Sequence, residues 1–395
     1  MKARELAQLV ASQVCIHAGM AGTRMAAPLL ALRDGYSPLS VGVLLALFSL
    51  SQVFLALPAG RFADRHGLRR PVAIAVAAAV AGAGLAATFP LFPVLCLAAL
   101  LTGAATGIAS ISLQRHVGRA ANGTGDLKRV FSWLAIGPAM SNFVGPIACG
   151  LLIDHAGRDA GDTTGYRFAF LLMTVLPLVS WFLVRHVKEL APVQPVDSSA
   201  RARTWDLVST PSMRRLLLVN WAMSSAWDVH SFAVPVLGHE RAFSASVIGA
   251  ILAGFAIAAA GVRVVLPLFA ARAREHLVVS MAMLLTALVF AVYPFMHAPL
   301  AMGAASVLLG VALGSVQPMI MSTLHQITTP ERHGEALGLR LMAINASSVL
   351  MPLLFGTVGA VVGVSVVFWS VGAAVAAGVH PAWKLRPPAQ SDPHL

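Results

Sequence analysis

The chain has few charged residues: Asp, Glu, Lys and Arg make up only 11% of its 395 positions, against roughly a quarter in a soluble domain. A soluble protein of this length needs those charges to coat its surface, so most of this surface must face lipid. The apolar fraction is 57% and the mean hydropathy is +0.78. Because a membrane-spanning helix takes about 20 apolar residues, the chain has room for twelve of them.

Cysteine is also scarce, and Cys15, Cys96 and Cys149 lie in apolar segments without the spacing of a disulfide or zinc site. HExxH, GxSxG and a glycine-rich phosphate loop are missing as well. We therefore expect no catalytic residues, no metal and no cofactor, and the sequence does not support an ATP-driven pump. A membrane-embedded enzyme or a receptor stays as the alternative from a different class. Product formation by the purified protein without any gradient would favour that alternative.

The basic residues are distributed unevenly along the predicted topology. Twelve spans are expected near 7–32, 39–60, 71–89, 93–114, 129–153, 167–185, 214–238, 245–269, 277–295, 298–322, 335–359 and 362–383. Apart from Arg24, Arg263 and Arg340, which lie inside spans, 21 basic residues fall at or beyond the span ends on the side of the N-terminus and 4 on the opposite side. This positive-inside bias places both termini in the cytoplasm. The net charge of +12 is thus a topology signal rather than a sign of nucleic-acid binding. We expect a monomer in a bacterial-type inner (plasma) membrane, with the lipid bilayer as its surroundings.

An internal repeat connects the two halves of the chain. A shift of 207 residues superimposes Pro28 on Pro235, and it also matches Ser37, Gly42, Leu45, Ala46 and Phe48 with identical residues. A shift of 206 superimposes Pro146 on Pro352. The predicted fold is all-α integral membrane, with two pseudo-symmetric six-helix bundles around a central cavity. The N-terminal bundle covers 1–186, the cytoplasmic linker 187–213 and the C-terminal bundle 214–395.

A charged loop joins the second and third predicted spans. It contains Gly60, Asp64, Arg65, Gly67, Arg69 and Arg70. The glycines predict a helix that ends at Gly60 and a turn back at Gly67, which holds Asp64 at the cytoplasmic face among arginines. The loop resembles the signature loop of the major facilitator superfamily. That resemblance implies that Asp64 contacts the positive end of the helix that starts near Glu335 and latches the cytoplasmic gate.

The loop departs from the family pattern at one position and is lost in the second half. Leu68 replaces the usual basic residue, and span 4 ends in Gln114-Arg115-His116 without an acidic partner. We therefore expect the charge relay between these positions to be absent. The counterpart in the second half has Ala271 where the first half has Asp64.

Span 5 carries a pattern of small residues and proline, formed by Ser141, Gly145, Pro146 and Gly150. It resembles the antiporter motif of the drug-exporting branch of the superfamily. Small residues let helices approach closely, and proline removes one backbone hydrogen bond. The resemblance favours export, and ordinary helix packing is the alternative.

Ionisable groups inside a bilayer are expensive and are therefore functional candidates. Asp228 in span 7 is the one carboxylate predicted deep in a span, on a face with Asn220 and two serines. We assign it to proton coupling. Arg24 in span 1 lies at a similar predicted depth, on a stripe with His17. The two could form an ion pair, or Arg24 could bind an anion while Asp228 takes protons. A purely structural pair is the alternative.

Further polar and aromatic residues in the spans are candidates for the substrate cavity. With Arg24, His17 and Asn220, the candidates are Trp227, Asn142, Gln317, Arg340 and Asn345. A gate role for Arg340 is as well supported as a substrate role. Arg263 lies near the cytoplasmic end of span 8, and we expect its side chain to snorkel to the interface.

These features together predict a secondary active transporter that works by alternating access on a small-molecule substrate. The first hypothesis is proton-coupled efflux of a small organic molecule, with protons bound at Asp228. The alternative is proton-coupled uptake (symport) of an anionic metabolite, because a buried arginine suits an anion.

Overall fold

A computed structural model describes residues 3–36, 38–121, 123–156, 163–190, 205–243, 245–269 and 273–385. Within these ranges all regular structure is helical, with twelve long α-helices, one short α-helix and two 3-10 turns at Tyr293–Phe295 and Pro330–Arg332. They are α1 (Ala3–Arg33), α2 (Pro38–His66), α3 (Arg69–Thr88), α4 (Phe92–Ala120), α5 (Gly123–Ala156), α6 (Thr164–Val184), α7 (Asp206–Ser209), α8 (Pro211–Glu240), α9 (Ala245–Phe269), α10 (Glu275–Val292), α11 (Pro299–Ile327), α12 (His333–Val362) and α13 (Val364–Trp383).

The long helices follow the twelve predicted spans, but several extend further than predicted at one end. In the described ranges, eight helices are long and apolar enough to cross a membrane. The 29 residues of α4 correspond to about 44 Å at 1.5 Å per residue, which exceeds a hydrocarbon core of about 30 Å. The helix therefore continues past the predicted end at 114, because polar residues remain helical where water or other helices satisfy them.

The helices divide into two compact units that do not follow the sequence halves strictly. The first unit comprises Met1–Asn122, Trp133–Val196 and Pro330–Leu350, and the second comprises Gly123–Ser132, Asp197–Thr329 and Met351–Leu395. The first ten residues of α5 thus pack in the second unit. In return, the beginning of α12 packs in the first unit.

The same helix pairs form inside each unit. In the first, α1 packs on α4 and α6, α2 packs on α4, and α3 packs on α4 and α6. In the second, α8 packs on α11 and α13, α9 packs on α11, and α10 packs on α11 and α13. The packing pattern of α1, α2, α3, α4 and α6 is therefore repeated by α8, α9, α10, α11 and α13, as expected for a duplicated unit.

One glycine contact is repeated between the two units in atomic detail. A Cβ atom on Gly103 of α4 would overlap the backbone carbonyl of Phe48 in α2. A Cβ atom on Gly310 of α11 would overlap the carbonyl of Phe255 in α9 in the same way. Both glycines and both phenylalanines are related by the 207-residue shift. The repeat that the sequence indicates is thus a repeat of backbone-to-backbone helix crossings.

A buried polar network lies inside the second unit. His230 Nε2 and Ser306 Oγ are 2.9 Å apart, and the Tyr293 hydroxyl lies 2.8 Å from the same Ser306 oxygen. The imidazole of His230 also stacks on Phe255. These hydrogen bonds connect α8 with α11, and they give buried polar side chains partners in an apolar interior.

Candidate functional site

The connection between α2 and α3 has two residues, and it begins later in the sequence than expected. The α2 helix does not end at Gly60 but continues to His66, so only Gly67 and Leu68 separate it from α3. Gly67 has a φ of +76°, a conformation that glycine adopts without a Cβ clash. The prediction of a turn at Gly67 is thus consistent with the structure, and the prediction of a helix end at Gly60 is wrong.

Gly60 instead permits a close crossing of α2 with the beginning of α12. A Cβ atom on Gly60 would overlap the carbonyl oxygen of Gly334, and a Cβ atom on Gly334 would overlap the carbonyl oxygen of Gly60. One turn along, a Cβ on Gly338 would lie 2.5 Å from the carbonyl oxygen of Ala56. The two helices therefore touch backbone to backbone, and side chains larger than hydrogen would separate them.

The carboxylate of Asp64 lies against the first residues of α12. The backbone N–H of Gly334 donates to Oδ1 over 2.9 Å, and that of Glu335 donates to Oδ2 over 3.1 Å. The first N–H groups of a helix have no partner within it, and the helix dipole favours an anion there. Asp64 thus lies at the helix start that the family resemblance implies, and its role in gating stays a prediction.

Arg115 at the end of α4 is the main cation at this carboxylate. Its Nε donates to Asp64 Oδ1 over 2.5 Å, and its terminal nitrogen donates to the Asp64 backbone carbonyl over 3.1 Å. Both side chains are at least nine-tenths buried. The family pattern led us to expect an acid at the end of span 4, whereas the structure has a base there that pairs with Asp64 directly.

A second layer of charges surrounds the start of α12. Glu335 accepts from Arg61 Nε over 3.0 Å and lies 2.9 Å from a terminal nitrogen of Arg332. Arg65 and Arg70 line a pocket of about 400 Å³ beside Asp64. The basic residues of the loop thus lie around the Asp64 contact, and two of them line open space.

Glu189, the third residue of the predicted linker, binds the backbone at the end of the α2–α3 connection. Its Oε1 accepts from the backbone N–H groups of Leu68 and Arg69, at 2.6 and 3.1 Å. Arg69 also donates to the carbonyl of Val187. Glu189 therefore caps the N-terminus of α3. Sequence reasoning missed it because the capping residue lies 120 positions away from the helix that it caps.

The small-residue pattern of α5 brings that helix onto α1. Ser141 Oγ donates to the carbonyl of Gly137 over 2.6 Å and lies 3.0 Å from the carbonyl of Val14. A Cβ on Gly145 would lie 2.5 Å from the carbonyl oxygen of Ala18. Ser141 and Gly145 thus form a close helix contact, whereas a Cβ on Gly150 would meet only the end of a methionine side chain in α1.

Arg263 of α9 does not snorkel, which corrects the expectation from the sequence. Its side chain is only 5% exposed, and its Nε donates to the carbonyl of Gly314 over 3.3 Å. The guanidinium also lies over the Trp227 ring, 5.7 Å from the centroid. Trp227 in turn meets Phe255 edge to face. The preference of a guanidinium for an aromatic face and a backbone carbonyl explains why it stays inside the second unit.

Asp228 directly follows Trp227, so the predicted coupling carboxylate and the buried arginine lie in neighbouring helices of one unit. Asp228 is half-buried and lies 17 residues after the first residue of α8, about 26 Å along the axis. On the same helix Asn220 is buried. Arg24 belongs to the first unit, where its side chain is exposed along α1. The Arg24–Asp228 pair stays a prediction.

The remaining cavity candidates lie in both units. In the first unit Arg340 is buried, and Asn345 Nδ2 donates to the carbonyl of Leu341 in its own helix. His17 is half-buried and Asn142 is exposed, also in the first unit. Gln317 is half-buried in the second. Polar groups that could contact a substrate are therefore present in each unit.

Comparison with known structures supports the fold. The chain is similar to a bacterial homologue of the iron transporter ferroportin in the outward-facing state, with 15% identity, a TM-score of 0.81 and coverage of 98% of this chain and 99% of that one. It is also similar to the human organic anion transporter MFSD10, with 16% identity, a TM-score of 0.79 and coverage of 97% and 100%. The transporter FucP has 13% identity, a TM-score of 0.76 and coverage of 95% and 97%.

Sequence comparison assigns the family. No curated protein sequence matches the chain. The Major Facilitator Superfamily pattern matches over residues 9–226 and again over residues 216–394, so it covers nearly the whole chain and matches each half. The chain therefore belongs to the Major Facilitator Superfamily.

Proposed function

We propose that this transporter moves a small organic anion out of the cell in exchange for a proton, by alternating access. The observation that carries the proposal is the imbalance of charge inside the spans. The sequence places three arginines there, Arg24, Arg263 and Arg340, and one deep carboxylate, Asp228. Two of the arginines are buried, each within its own unit.

The electrostatic consequence favours an anionic substrate. Charges in low-dielectric surroundings interact much more strongly than in water, so the buried guanidinium groups of Arg263 and Arg340 each create a positive potential inside their own unit. A substrate carboxylate or phosphate would neutralise that potential, and a cationic drug would increase it. Of the two neighbouring groups in the second unit, Arg263 supplies positive charge and Asp228 can release or take a proton.

Export fits the driving forces available to such a cycle. Moving one charge across 100 mV is worth about 2.3 kcal/mol. With a cytoplasm that is electrically negative, the exit of a monovalent anion and the entry of a proton both run down the potential. One exchange thus gains about 4.6 kcal/mol at 100 mV from the potential alone. The span 5 pattern, which resembles that of exporters, also supports this direction.

Uptake of an anionic metabolite with protons is the competing hypothesis within the same class. It uses the same arginines and the same carboxylate, Asp228, and differs in that the substrate moves in the same direction as the proton. The structural similarity to an organic anion transporter concerns the fold and fits both hypotheses. The two therefore have to be separated by measurement of proton movement.

A compound panel in inverted membrane vesicles tests the proposal. A pH-sensitive dye inside acidified vesicles reports proton efflux when a substrate is added outside. Organic acids should raise the internal pH in vesicles that contain the protein, whereas cationic drugs and neutral antibiotics should not. Vesicles with Asp228→Asn serve as the control and should give no signal. A response to cationic compounds alone would overturn the choice of substrate class.

A further inference from the structure

A pocket of about 400 Å³ lies in the first unit, beside the contact of Asp64 with α12. Its walls contain twice as many basic as acidic side chains, even with the histidine counted as neutral. These charged lining residues are Arg65, Arg70, Arg115, Arg119, Asp64 and Glu189. The pocket therefore has an excess of two positive charges, and the partners of each group determine where that excess is located.

Both carboxylates of the lining are already bound to other groups. Asp64 is paired with Arg115 and accepts from two backbone N–H groups of α12. Glu189 accepts from the backbone N–H groups of Leu68 and Arg69, and its second oxygen lies 4.0 Å from Arg69 Nε. The excess positive charge of the pocket is therefore carried by its other three arginines.

These three arginines come from the α2–α3 connection and from α4. Arg65 and Arg70 lie on either side of the turn at Gly67, and both side chains are exposed. Within the described part of the chain, neither of the two forms a hydrogen bond or an ion pair. Arg119 is half-buried and lies one turn after Arg115 on α4, so these two like charges share a face and repel each other. A bound anion would offset this repulsion.

The charge, the donors and the size of the pocket fit one chemical class of ligand. A phosphate monoester carries a charge of about −1.5 to −2 near neutral pH, which matches the excess of two positive charges. The guanidinium group presents its N–H donors in a planar fork that binds two phosphate oxygens at once. Pockets for small molecules occupy about 300–1,000 Å³. A volume of about 400 Å³ thus has room for the phosphate group together with a small organic part.

The distance along α4 separates this pocket from the lipid headgroups. Arg119 lies 27 residues after Phe92, the first residue of the helix, which corresponds to about 40 Å. A hydrocarbon core of about 30 Å that begins at Phe92 therefore ends about 10 Å before Arg119. The headgroup layer adds only about 5–8 Å on each side, so the pocket is reached from the water rather than from the bilayer.

We propose that the pocket is a binding site for a phosphate monoester dissolved on the side of the membrane where the N-terminus lies. Arg65, Arg70 and Arg119 supply the donors for the phosphate oxygens, while Arg115 stays with Asp64. The organic part of the ligand lies against the wall formed by Leu190. This second anion site is separate from the interior of the spans, so it depends neither on the transported substrate nor on the direction of transport.

Isothermal titration calorimetry on the full-length protein in dodecyl maltoside, a detergent without phosphate, tests the site. Glucose 6-phosphate is the probe, and glucose and glucuronate are its uncharged and singly charged controls. The wild type should bind the probe at least tenfold more tightly than glucuronate, and it should not bind glucose. Binding of all three compounds with equal affinity, or no binding of glucose 6-phosphate, would overturn the proposal.

Two double variants locate the binding at the pocket. Arg65→Gln with Arg70→Gln should weaken binding of glucose 6-phosphate at least tenfold, as expected for loss of hydrogen bonds to a charged group. Because both side chains are exposed and without partners in the described structure, this variant should unfold at the wild-type temperature. Arg4→Gln with Arg214→Gln removes two exposed arginines elsewhere and should change the affinity less than twofold. Equal affinities of the two double variants would contradict the site.

Two further measurements separate this site from other anion sites. Arg263→Gln, inside α9, should leave the affinity for glucose 6-phosphate within twofold, whereas a large loss in this variant would assign the binding to the proposed substrate site. Dihexanoylphosphatidic acid, a lipid phosphate monoester, should bind no more tightly than glucose 6-phosphate. Tighter binding of the lipid would overturn the choice of a dissolved ligand. None of these readouts depends on transport, so failure here is distinguishable from failure of the proposed export.

Discussion

The backbone N–H of Gly334 donates to Asp64 Oδ1 over 2.9 Å, and the two residues are separated by 270 positions in the sequence. The bond exists because Gly60 and Gly334 have no side chains, which lets α2 and α12 meet at their backbones. The carboxylate then reaches amides that the helix itself leaves without partners. The contact of Asp64 with α12 is therefore one between a charge and a helix end, and it depends on glycine at the crossing.

Asp64→Asn is expected to slow turnover at least tenfold while it leaves substrate affinity within about twofold. The carboxylate accepts from two backbone N–H groups and Arg115, whereas the amide NH2 of Asn would face some of these donors. Turnover in proteoliposomes and equilibrium binding in detergent measure the two effects separately. Asp206→Asn, on the exposed helix α7, is the control. Unchanged turnover would remove Asp64 from the gate.

Gly103→Val and Gly310→Val are expected to destabilise the protein to a similar extent. Each new side chain would meet a backbone carbonyl at a helix crossing that the repeat shares. Overpacking of this kind costs about 1–3 kcal/mol. Gly261→Ala in α9, where nothing lies within 4 Å of the added Cβ, is the matched control. Thermal unfolding of the detergent-solubilised protein measures the effect, and valine variants as stable as Gly261→Ala would contradict the crossing geometry.

Arg263→Gln is expected to weaken binding of organic anions roughly tenfold to a hundredfold, the range for loss of a hydrogen bond to a charged group. Arg263→Lys should be intermediate, because it keeps the charge but loses the flat guanidinium over Trp227. Arg214→Gln, exposed at the start of α8, controls for net charge. Competition binding supplies the affinities. Equal affinity in Arg263→Gln and the wild type would show that Arg263 does not contribute to the positive potential that attracts the substrate.

Asp228→Asn is expected to abolish proton-driven transport and to preserve exchange of labelled for unlabelled substrate across the membrane. Such exchange requires the substrate-loaded protein to alternate between its two open states, and it needs no net proton movement. Coupling of substrate transport to a proton gradient, in contrast, requires a group that titrates. Both fluxes are measured in the same proteoliposomes, with and without a pH gradient. A normal pH-driven flux in this variant would assign the coupling proton to another group.

The fold could be predicted from the sequence because the signals for it are local or periodic. Low charge and long apolar segments indicate spans, and the 207-residue shift that aligns Pro28 with Pro235 indicates the duplication. That shift also relates Gly103 to Gly310, whose crossings are alike in the two units. The position of Asp64 was predictable because its loop resembles that of a known family.

The partners of the site could not be predicted because they are distant in sequence and lack a pattern. Arg115 pairs with Asp64 at a position where the family pattern led us to expect an acid. Glu189 caps α3 from the predicted linker, whose sequence shows no capping motif. Arg263 was expected at the interface, since nothing in the sequence of α9 indicates that Trp227 and the carbonyl of Gly314 would hold its guanidinium inside. These are tertiary contacts, which periodicity does not encode.

The charge moved per transport cycle tests the central claim most directly. In proteoliposomes with a potassium gradient and valinomycin, the substrate and proton fluxes are measured as the membrane potential is varied at constant pH. Exchange of one monovalent anion for one proton carries two charges, so transport should stop at the potential and pH gradient that this stoichiometry sets. Symport of one anion with one proton carries no net charge. A flux that is independent of the potential, with protons moving in the same direction as the anion, would contradict export by exchange.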